Sequence, residues 1–409
     1  MNVPPTRSSE LNLCKQDQAL ADRYSRLASY FDFRRIAQSR LPPLIFDYVE
    51  GGAGDEITIR ENEAAFAAIR LPQRVMVDVS AVSTGSDTMG EACTMPLALA
   101  PIGFGGLMCR RGEVQAVRAA EATGVPFCLS TNSICSVEEV ARTARRPFWF
   151  QLYMMRDRDV VIDLLRRAWE SGCRTLVFTV DLAVPGSRRR DIRRDLFGSN
   201  TPAKLFAYAC HPGWLIDVGL RGGPHTFGNL APYVPMARNL PSFGRWLVQQ
   251  FDGSVTWRDI AWLRSLWKGR LVIKGVLDRR DALTALDTGA DAVVVSNHGG
   301  RQLDSVFPTA AALPTIARAV GGRAPVLVDG GIRSGQDVLK ALMVGADGVL
   351  IGRAWAYAAA VGGEAAITAL LARFQVEMRT AMTLAGFQSI DAIMAARTDE
   401  SRVLAEPAD

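Results

Sequence analysis

A regular alternation of short apolar runs and amphipathic stretches constrains what this chain can fold into. Eight runs are continuously apolar, which is typical of strands buried on both faces of a parallel sheet. Eight strand–helix units are the number that closes a (β/α)8, or TIM, barrel. The predicted strands are Pro96–Pro101, Pro126–Ser130, Phe148–Tyr153, Thr175–Asp181, Leu271–Lys274, Ala292–Ser296, Pro325–Asp329 and Gly348–Gly352.

In the stretches between these strands, apolar residues recur with the spacing of an amphipathic helix, and most of these stretches end near a glycine. A doubly wound open sheet is the alternative, but the count of eight units favours closure. We therefore predict an α/β fold built as a barrel. The predicted helices are Gly112–Thr123, Ser136–Ala144, Asp159–Glu170, Thr256–Trp267, Asp281–Thr288, Ala310–Val320, Ser334–Val344 and Glu364–Leu384.

Composition excludes several classes of protein. The 409-residue chain is 48% hydrophobic and 22% charged, which is typical of a globular enzyme. Its net charge of +5 includes no dense basic block, so we expect no nucleic-acid partner. The cysteines show neither metal-ligand spacing nor a disulfide pattern, and we predict no metal site. No apolar run reaches the length of a membrane-spanning helix.

Polar residues follow the predicted strands at their carboxyl ends. In a barrel these ends converge on one mouth, where catalytic loops lie. Any one of the residues alone could be a satisfied core residue, but their recurrence at strand after strand predicts an active site. They include Ser130, Gln151, Tyr153, Thr179, Asp181, Lys274, His298, Asp329 and Arg353.

The segment Ser296–Asp304 combines a base with an anion ligand. His298 is one of only 3 histidines in the chain, and Arg301 follows it after two glycines. Imidazole takes a proton near neutral pH, and a guanidinium can bind a carboxylate through two parallel hydrogen bonds. The pattern predicts proton removal from a carboxylic acid.

Two glycine-rich loops near the carboxyl end indicate a phosphate site. Asp329–Gly335 opens a helix after the seventh strand, and Gly352-Arg353 follows the eighth. These are the usual positions of the barrel phosphate site; tight-turn glycines with surface arginines are the alternative. A flavin mononucleotide fits this pattern, with Lys274 near its ring and Asp181 orienting His298. Lys274 as a Schiff-base lysine and Asp181 as a structural cap are the competing interpretations.

These motifs together resemble the FMN-dependent 2-hydroxy acid dehydrogenase/oxidase family, and most closely its respiratory branch that oxidises L-lactate. The resemblance spans about residues 32–386. The most specific segments are Asp47–Ala53, Trp149–Tyr153, Thr179–Asp181, Ile273–Gly275, Ser296–Asp304 and Asp329–Arg333.

The resemblance implies a role for each matching residue. His298 would be the base and Asp181 its partner, with Tyr153 and Arg301 also in the catalytic set. The substrate would contact Tyr48, Tyr153, Arg188, His298 and Arg301. FMN would be held by Ala100, Pro101, Gly103, Ser130, Gln151, Thr179, Lys274, Asp329, Gly331, Arg333, Gly352 and Arg353.

The implied reaction is oxidation of an L-2-hydroxy acid, most closely L-lactate to pyruvate, with electrons passing to a quinone or cytochrome. Asn132 departs from the apolar or aromatic residue that the family has at this pocket position. An (S)-mandelate or glycolate enzyme is therefore an alternative, as are a flavin-dependent isomerase and a relative that oxidises a peptide. A non-catalytic flavin-binding protein would not need His298 and two arginines. The sequence leaves open whether hydrogen leaves carbon as hydride or as a proton.

A long segment, residues 182–255, separates the fourth strand from the next helix. It mixes basic and aromatic residues, which suits a membrane interface, an active-site lid or an oligomer contact. We predict an amino-terminal extension (1–30), a catalytic domain (31–386) with a helical lid carrying Tyr48, and a carboxyl-terminal tail (387–409). The resemblance implies a homotetramer attached peripherally to the cytoplasmic face of the inner membrane, or otherwise cytoplasmic.

Overall fold

The computed structural model describes residues 24, 26–195, 198, 201–234 and 240–397. The predicted extension over residues 1–30 therefore lies mostly outside the described residues, as do residues 398–409.

A barrel of parallel strands forms the centre of the molecule. A short antiparallel hairpin, β1 (Ser86–Thr88) and β2 (Glu91–Cys93), precedes it. The barrel strands are β3 (Leu97–Leu99), β4 (Cys128–Ser130), β5 (Trp149–Leu152), β6 (Thr175–Thr179), β7 (Arg270–Val276), β8 (Ala292–Val295), β9 (Val326–Val328) and β10 (Gly348–Ile351).

The barrel is closed, as predicted. Strands β4 to β10 pair in chain order, β10 pairs with β3, and a parallel bridge between Leu99 and Phe127 joins β3 to the chain entering β4. Every predicted strand is present, and the observed bounds differ from the predicted ones by no more than two residues.

Helices cover the outside of the barrel and begin at polar caps. The side chains of Ser136, Asp157, Asp278 and Ser334 each accept a hydrogen bond from a backbone N–H in the first helical turn, which satisfies a group that the helix itself leaves free. The covering helices are Gly112–Thr123, Val137–Ala141, Arg158–Glu170, Trp257–Leu266, Arg279–Asp287, Thr309–Val320 and Gly335–Met343.

The interior of the barrel is a packed core and not a pore. Apolar side chains from alternate strand positions, most of them small or medium in size, fill it, as in other barrels of this size. They include Ala98, Ala100, Cys128, Trp149, Val177, Val272, Ala292, Val294, Leu327 and Leu350.

Two groups of additional helices surround the carboxyl ends of the strands. The amino-terminal group precedes the barrel and consists of Tyr30–Arg40, Pro43–Glu50 and Ile57–Ala68. The second group belongs to the segment between β6 and β7. Its helices are Arg189–Arg194, Pro202–Ala209, Pro212–Trp214 and Leu240–Gln250, and it also includes the π-helical turn Leu215–Leu220 and the 3-10 turn Ala231–Tyr233.

The carboxyl-terminal region differs from the prediction in two places. The last long helix begins at Arg353, and Gly362 and Gly363 break its geometry just before the predicted start at Glu364. The segment predicted as a carboxyl-terminal tail contains the helix Ile390–Ala396, with Ile390 and Ile393 buried.

The helix Arg353–Ala385 is long and apolar enough to span a membrane by length and composition, the only such helix among the described residues. It is mostly buried and packs against Gly112–Thr123 and Tyr30–Arg40. Its apolar character therefore serves the protein core.

The long helix approaches Gly335 so closely that there is no room for a side chain at this position. A Cβ at Gly335 would lie 1.9 Å from the carbonyl oxygen of Phe374. We expect Gly335→Ala to cost about 1–3 kcal/mol of stability through overpacking, lowering the Tm of the flavin-loaded protein by a few degrees. Gly253→Ala is the matched control because a Cβ there meets nothing within 4 Å. Equal Tm values for the two variants would contradict this account.

Candidate active site

The carboxyl ends of the strands surround a cleft with a cavity volume of about 210 Å³. Most of the predicted site residues line this cleft, while Asp181, Ser130 and Gln151 lie behind its wall. Those in the wall are Tyr48, Ala100, Pro101, Gly103, Tyr153, Thr179, Arg188, Lys274, His298, Arg301, Asp329, Gly331, Arg333, Gly352 and Arg353.

His298 and Asp181 form the predicted pair. Nδ1 of His298 lies 2.9 Å from Oδ1 of Asp181, so the ring donates its Nδ1 proton to the carboxylate and leaves Nε2 free to accept one. Burial raises the pKa of Asp181, but His298 and Lys274 outweigh it and hold that pKa below its usual value. The carboxylate is therefore charged and stabilises an imidazolium.

The loop that carries His298 has unusual backbone geometry. His298, Gly299 and Gly300 all have positive φ, at 57°, 63° and 74°. A left-handed conformation is strained for a histidine and persists only where its surroundings fix it. Ser296 supplies part of this constraint, because its Oγ accepts a hydrogen bond from the N–H of His298 at 3.0 Å.

Lys274 lies in a buried ion pair that the sequence did not predict. Its Nζ is 2.9 Å from Oδ2 of Asp329 and donates to Oγ of Ser296 at 2.9 Å. Burial lowers the pKa of Lys274, but Asp329 and Asp181 outweigh it and raise that pKa above its usual value. Lys274 is therefore a permanent cation at the cleft.

Ser130, Gln151 and Thr179 form a hydrogen-bonded row beneath the cleft. Oγ of Ser130 donates to Oε1 of Gln151 at 3.1 Å, and Nε2 of Gln151 donates to Oγ1 of Thr179 at 3.1 Å. The row crosses three neighbouring strands, β4 to β6. It therefore fixes the floor of the cleft.

The amino-terminal helices bring Tyr48 to the mouth, as predicted for a lid. Its hydroxyl donates to the carbonyl of Gly103 at 3.4 Å, and the guanidinium of Arg301 lies 4.9 Å from the centre of its ring. Tyr153 faces the same cleft, and burial raises its pKa, helped by Asp181 and Tyr48. Both phenols are therefore protonated hydrogen-bond donors at neutral pH.

The glycine-rich loop after β9 also depends on the lid. Gly331 has a φ of 98°, and a Cβ there would lie 2.5 Å from the carbonyl oxygen of Asn62. Arg333 pairs with Glu63 at 2.9 Å. Arg353 donates to the carbonyls of Val49, Gly299 and Gly51. Each arginine thus keeps part of its donor set for a ligand while holding the lid.

Two side-chain amides, each donating to the other, join the lid to the loop that carries His298. Asn62 Nδ2 donates to Asn297 Oδ1 at 2.9 Å, and Asn297 Nδ2 donates to Asn62 Oδ1 at 2.8 Å. Asn297 Oδ1 also accepts from the N–H of Gly300. The sequence analysis missed both residues; the place of Asn297 before His298 was the one available signal, and Asn62 had none.

The cleft fits the FMN that the resemblance implies. Oδ1 of Asp329 is buried and has no hydrogen-bond partner among the described residues, so it is free to accept from a ribityl hydroxyl. Gly330 and Gly331 both have positive φ and expose backbone to the cleft beside Arg333 and Arg353, as a phosphate requires. The described residues include no cluster of metal-ligating side chains.

Known L-lactate dehydrogenases are similar to this chain over most of its length. The chain is 53% identical over 368 residues to the L-lactate dehydrogenase of Caulobacter vibrioides (strain NA1000 / CB15N), covering 90% of this chain and 96% of that one. It is 50% identical over 360 residues to the L-lactate dehydrogenase of Pectobacterium atrosepticum, covering 88% and 93%.

Solved structures of high similarity are mandelate-oxidising enzymes. The monotopic membrane protein (S)-mandelate dehydrogenase superposes with a TM-score of 0.87 at 34% identity, covering 93% of this chain and 100% of that one. Mandelate oxidase superposes with a TM-score of 0.77 at 36% identity, covering 90% and 97%.

The family model of the FMN-dependent dehydrogenases matches residues 37–400, past the predicted domain end at Gly386. Since this match covers most of the chain, including the barrel, the lid and the cleft, the protein belongs to the FMN-dependent dehydrogenase family.

Proposed function

We propose that this protein is an FMN-dependent L-2-hydroxy acid dehydrogenase that oxidises L-lactate to pyruvate. The observation that carries the proposal is the His298–Asp181 pair in one cleft with Arg301, Arg188 and two protonated tyrosines. The relatives named L-lactate dehydrogenase support the substrate. The mandelate enzymes support (S)-mandelate as the second candidate.

The residues divide the work of the reaction. Arg301 and Arg188 bind the carboxylate, and Tyr48 and Tyr153 donate to the carboxylate and hydroxyl oxygens. His298 takes a proton from the acid at Nε2, and the charge of Asp181 stabilises the resulting imidazolium. Loss of that proton, a second proton and two electrons in all converts the hydroxy acid into the 2-oxo acid. FMN, when bound, supplies the acceptor for the two electrons.

Lys274 and Asp329 support this chemistry without taking part in proton transfer. The buried ammonium of Lys274 lines the cleft, where it would help to hold the flavin and stabilise negative charge that develops on it. Its ion pair with Asp329 keeps the ammonium protonated and in place.

Surplus positive charge prepares the cleft for a carboxylate. Burial lowers the pKa of Arg301 to about 10, with Arg188 and Arg353 adding to the effect. Nη1 of Arg301 donates to the carbonyls of Tyr48 and Gly51, which orients the guanidinium. A bound anion relieves the repulsion among the arginines.

The segment between β6 and β7 supports peripheral membrane attachment. Leu205 and Phe206 on Pro202–Ala209 are 54% and 72% exposed, and Ile216 and Leu220 on the following turn are 47% and 75% exposed. Trp214 ties this surface to the turn Gly105–Leu107 by donating to the carbonyl of Leu107 at 2.8 Å. A related structure is described as a monotopic membrane protein.

We infer from this surface that the electron acceptor is a quinone in the cytoplasmic face of the inner membrane. A cytochrome is the alternative, and faster reoxidation of the reduced flavin by cytochrome c or oxygen than by quinone would favour it. The homotetramer stays a prediction, checked by the mass in solution.

Flavin reduction tests the proposed function. Under anaerobic conditions we expect L-lactate to bleach the flavin absorbance of the wild-type protein. His298→Ala should keep flavin bound but reduce it roughly 10²–10⁴-fold more slowly, because the base is lost. His211→Ala is the control, since His211 lies outside the cleft wall. Near-normal reduction by His298→Ala would reject the assignment of the base.

The affinity for a small carboxylate should depend on pH through Arg301. Below pH 10 the guanidinium is charged and attracts the anion, and as the pH rises through about 10 it loses its proton and its share of the attraction. We therefore expect the Kd of oxalate, followed by flavin absorbance, to rise above pH 10. Arg301→Gln should bind oxalate weakly with no such rise. A wild-type Kd that stays constant to pH 11 argues against this role.

Membrane attachment can be measured by flotation with phosphatidylglycerol vesicles. Replacing Leu205 and Phe206 together by Asp should lower the bound fraction at least about tenfold, since each apolar side chain contributes roughly 1.5–3 kcal/mol when buried. Val376→Asp is the matched control because Val376 is 55% exposed elsewhere on the surface. Equal flotation of the double variant and the wild type would exclude this surface as the contact.

A further inference from the structure

Asn132 lines the substrate cleft and carries a buried side-chain oxygen without a hydrogen-bond donor among the described residues. It follows β4 and forms part of the cleft wall. Its backbone is fixed, because its N–H donates to Oγ of Ser130 at 3.1 Å and its carbonyl accepts from Phe104 at 3.0 Å. Its side-chain Oδ1 is buried, and no residue that the structure describes donates to it.

The loop does not need this amide for its own stability. Asn229 already bridges the same loop, donating to the carbonyl of Ser130 at 3.1 Å and to Oγ of Ser133 at 2.9 Å, and accepting from the N–H of Val137 at 2.7 Å. A buried carbonyl without a donor is costly, and the cost disappears only when a ligand donates to it. Asn132 therefore differs from a structural asparagine.

Asn132 lies beside the position of the substrate's carboxylate end. A Cβ built on Gly103 would lie 3.0 Å from the Tyr48 hydroxyl and 3.4 Å from Cβ of Asn132. Tyr48 and Asn132 thus border the same point in the cleft. An acid whose carboxylate or hydroxyl reaches Tyr48 extends its side chain past Asn132.

We propose that Asn132 selects 2-hydroxy acids whose side chain carries a second hydroxyl group. The inference rests on the proposed function and names the preferred substrates within that class. The methyl group of lactate cannot donate to Oδ1, whereas a hydroxyl on carbon 3 or 4 can. A cationic donor is disfavoured because Arg188 and Arg301 line the same cleft.

The test compares acids that differ by one hydroxyl group. The rate of anaerobic flavin reduction is measured with L-lactate against L-glycerate, and with L-2-hydroxybutanoate against (S)-2,4-dihydroxybutanoate. For the wild type we expect kcat/KM to favour a dihydroxy acid by roughly 10- to 100-fold, the usual penalty for leaving a buried polar group unpaired. The ratio within one protein cancels losses of folded or flavin-loaded enzyme.

Two variants with side chains of similar size distinguish the effect of a hydrogen bond to residue 132 from the effect of its shape. Asn132→Leu removes the acceptor and should reverse the preference in favour of the monohydroxy acid. Asn132→Asp keeps an acceptor and should keep the preference, at lower absolute rates because its charge opposes the carboxylate. A wild-type preference for the monohydroxy acid in both pairs overturns the proposal, as does a ratio that Asn132→Leu leaves unchanged.

Failure of the proposed function has a different signature. If none of the four acids bleaches the flavin of the wild type, the protein is not a 2-hydroxy acid dehydrogenase and the selectivity falls with it. If lactate bleaches the flavin but the added hydroxyl brings no gain, the proposed function stands and the role of Asn132 does not.

Discussion

Two arginines that hold the end of one helix bring the site together. Arg301 and Arg353 donate to the carbonyls of Tyr48, Val49 and Gly51 at the carboxyl end of Pro43–Glu50. These carbonyls lack partners inside the helix and carry its negative dipole end, which cations stabilise. The same contact places the Tyr48 ring beneath Arg301. The guanidinium that we propose to bind the substrate carboxylate therefore also holds the lid in place.

The charges in the cleft are balanced only in part, and the imbalance explains which ligands it accepts. Lys274 is neutralised by Asp329, and His298 is paired with Asp181. Among the described residues no carboxylate is hydrogen-bonded to Arg301, and its pKa is lowered by burial and by neighbouring arginines. A buried cation of this kind is stabilised when an anion pairs with it. A phosphate at one side and a carboxylate at the other complete the set.

The sequence could predict the parts of this arrangement that local patterns specify. Continuous apolar runs located the strands, and the polar residues after them, such as Thr179 and His298, converge because parallel strands share an edge. Asn62 could not be found, since a polar residue in a helix pattern usually faces solvent, and only the fold shows that this one is buried. The helix from Arg353 to Val361 was missed because Gly352-Arg353 was assigned to a loop, whereas Gly352 directly precedes the first helical residue.

The strain in the base loop and the position of the lid belong to one constraint. His298 keeps its left-handed φ while Asn297 bonds both Gly300 and the lid residue Asn62. Thr309 extends this contact to the glycine-rich loop, since its Oγ1 donates to the carbonyl of Gly330 and its N–H to Oδ1 of Asn62. A buried network of this kind is rigid only when every member is satisfied. The loop that carries His298, the lid and the glycine-rich loop therefore depend on one another for their geometry, and loosening one loosens the others.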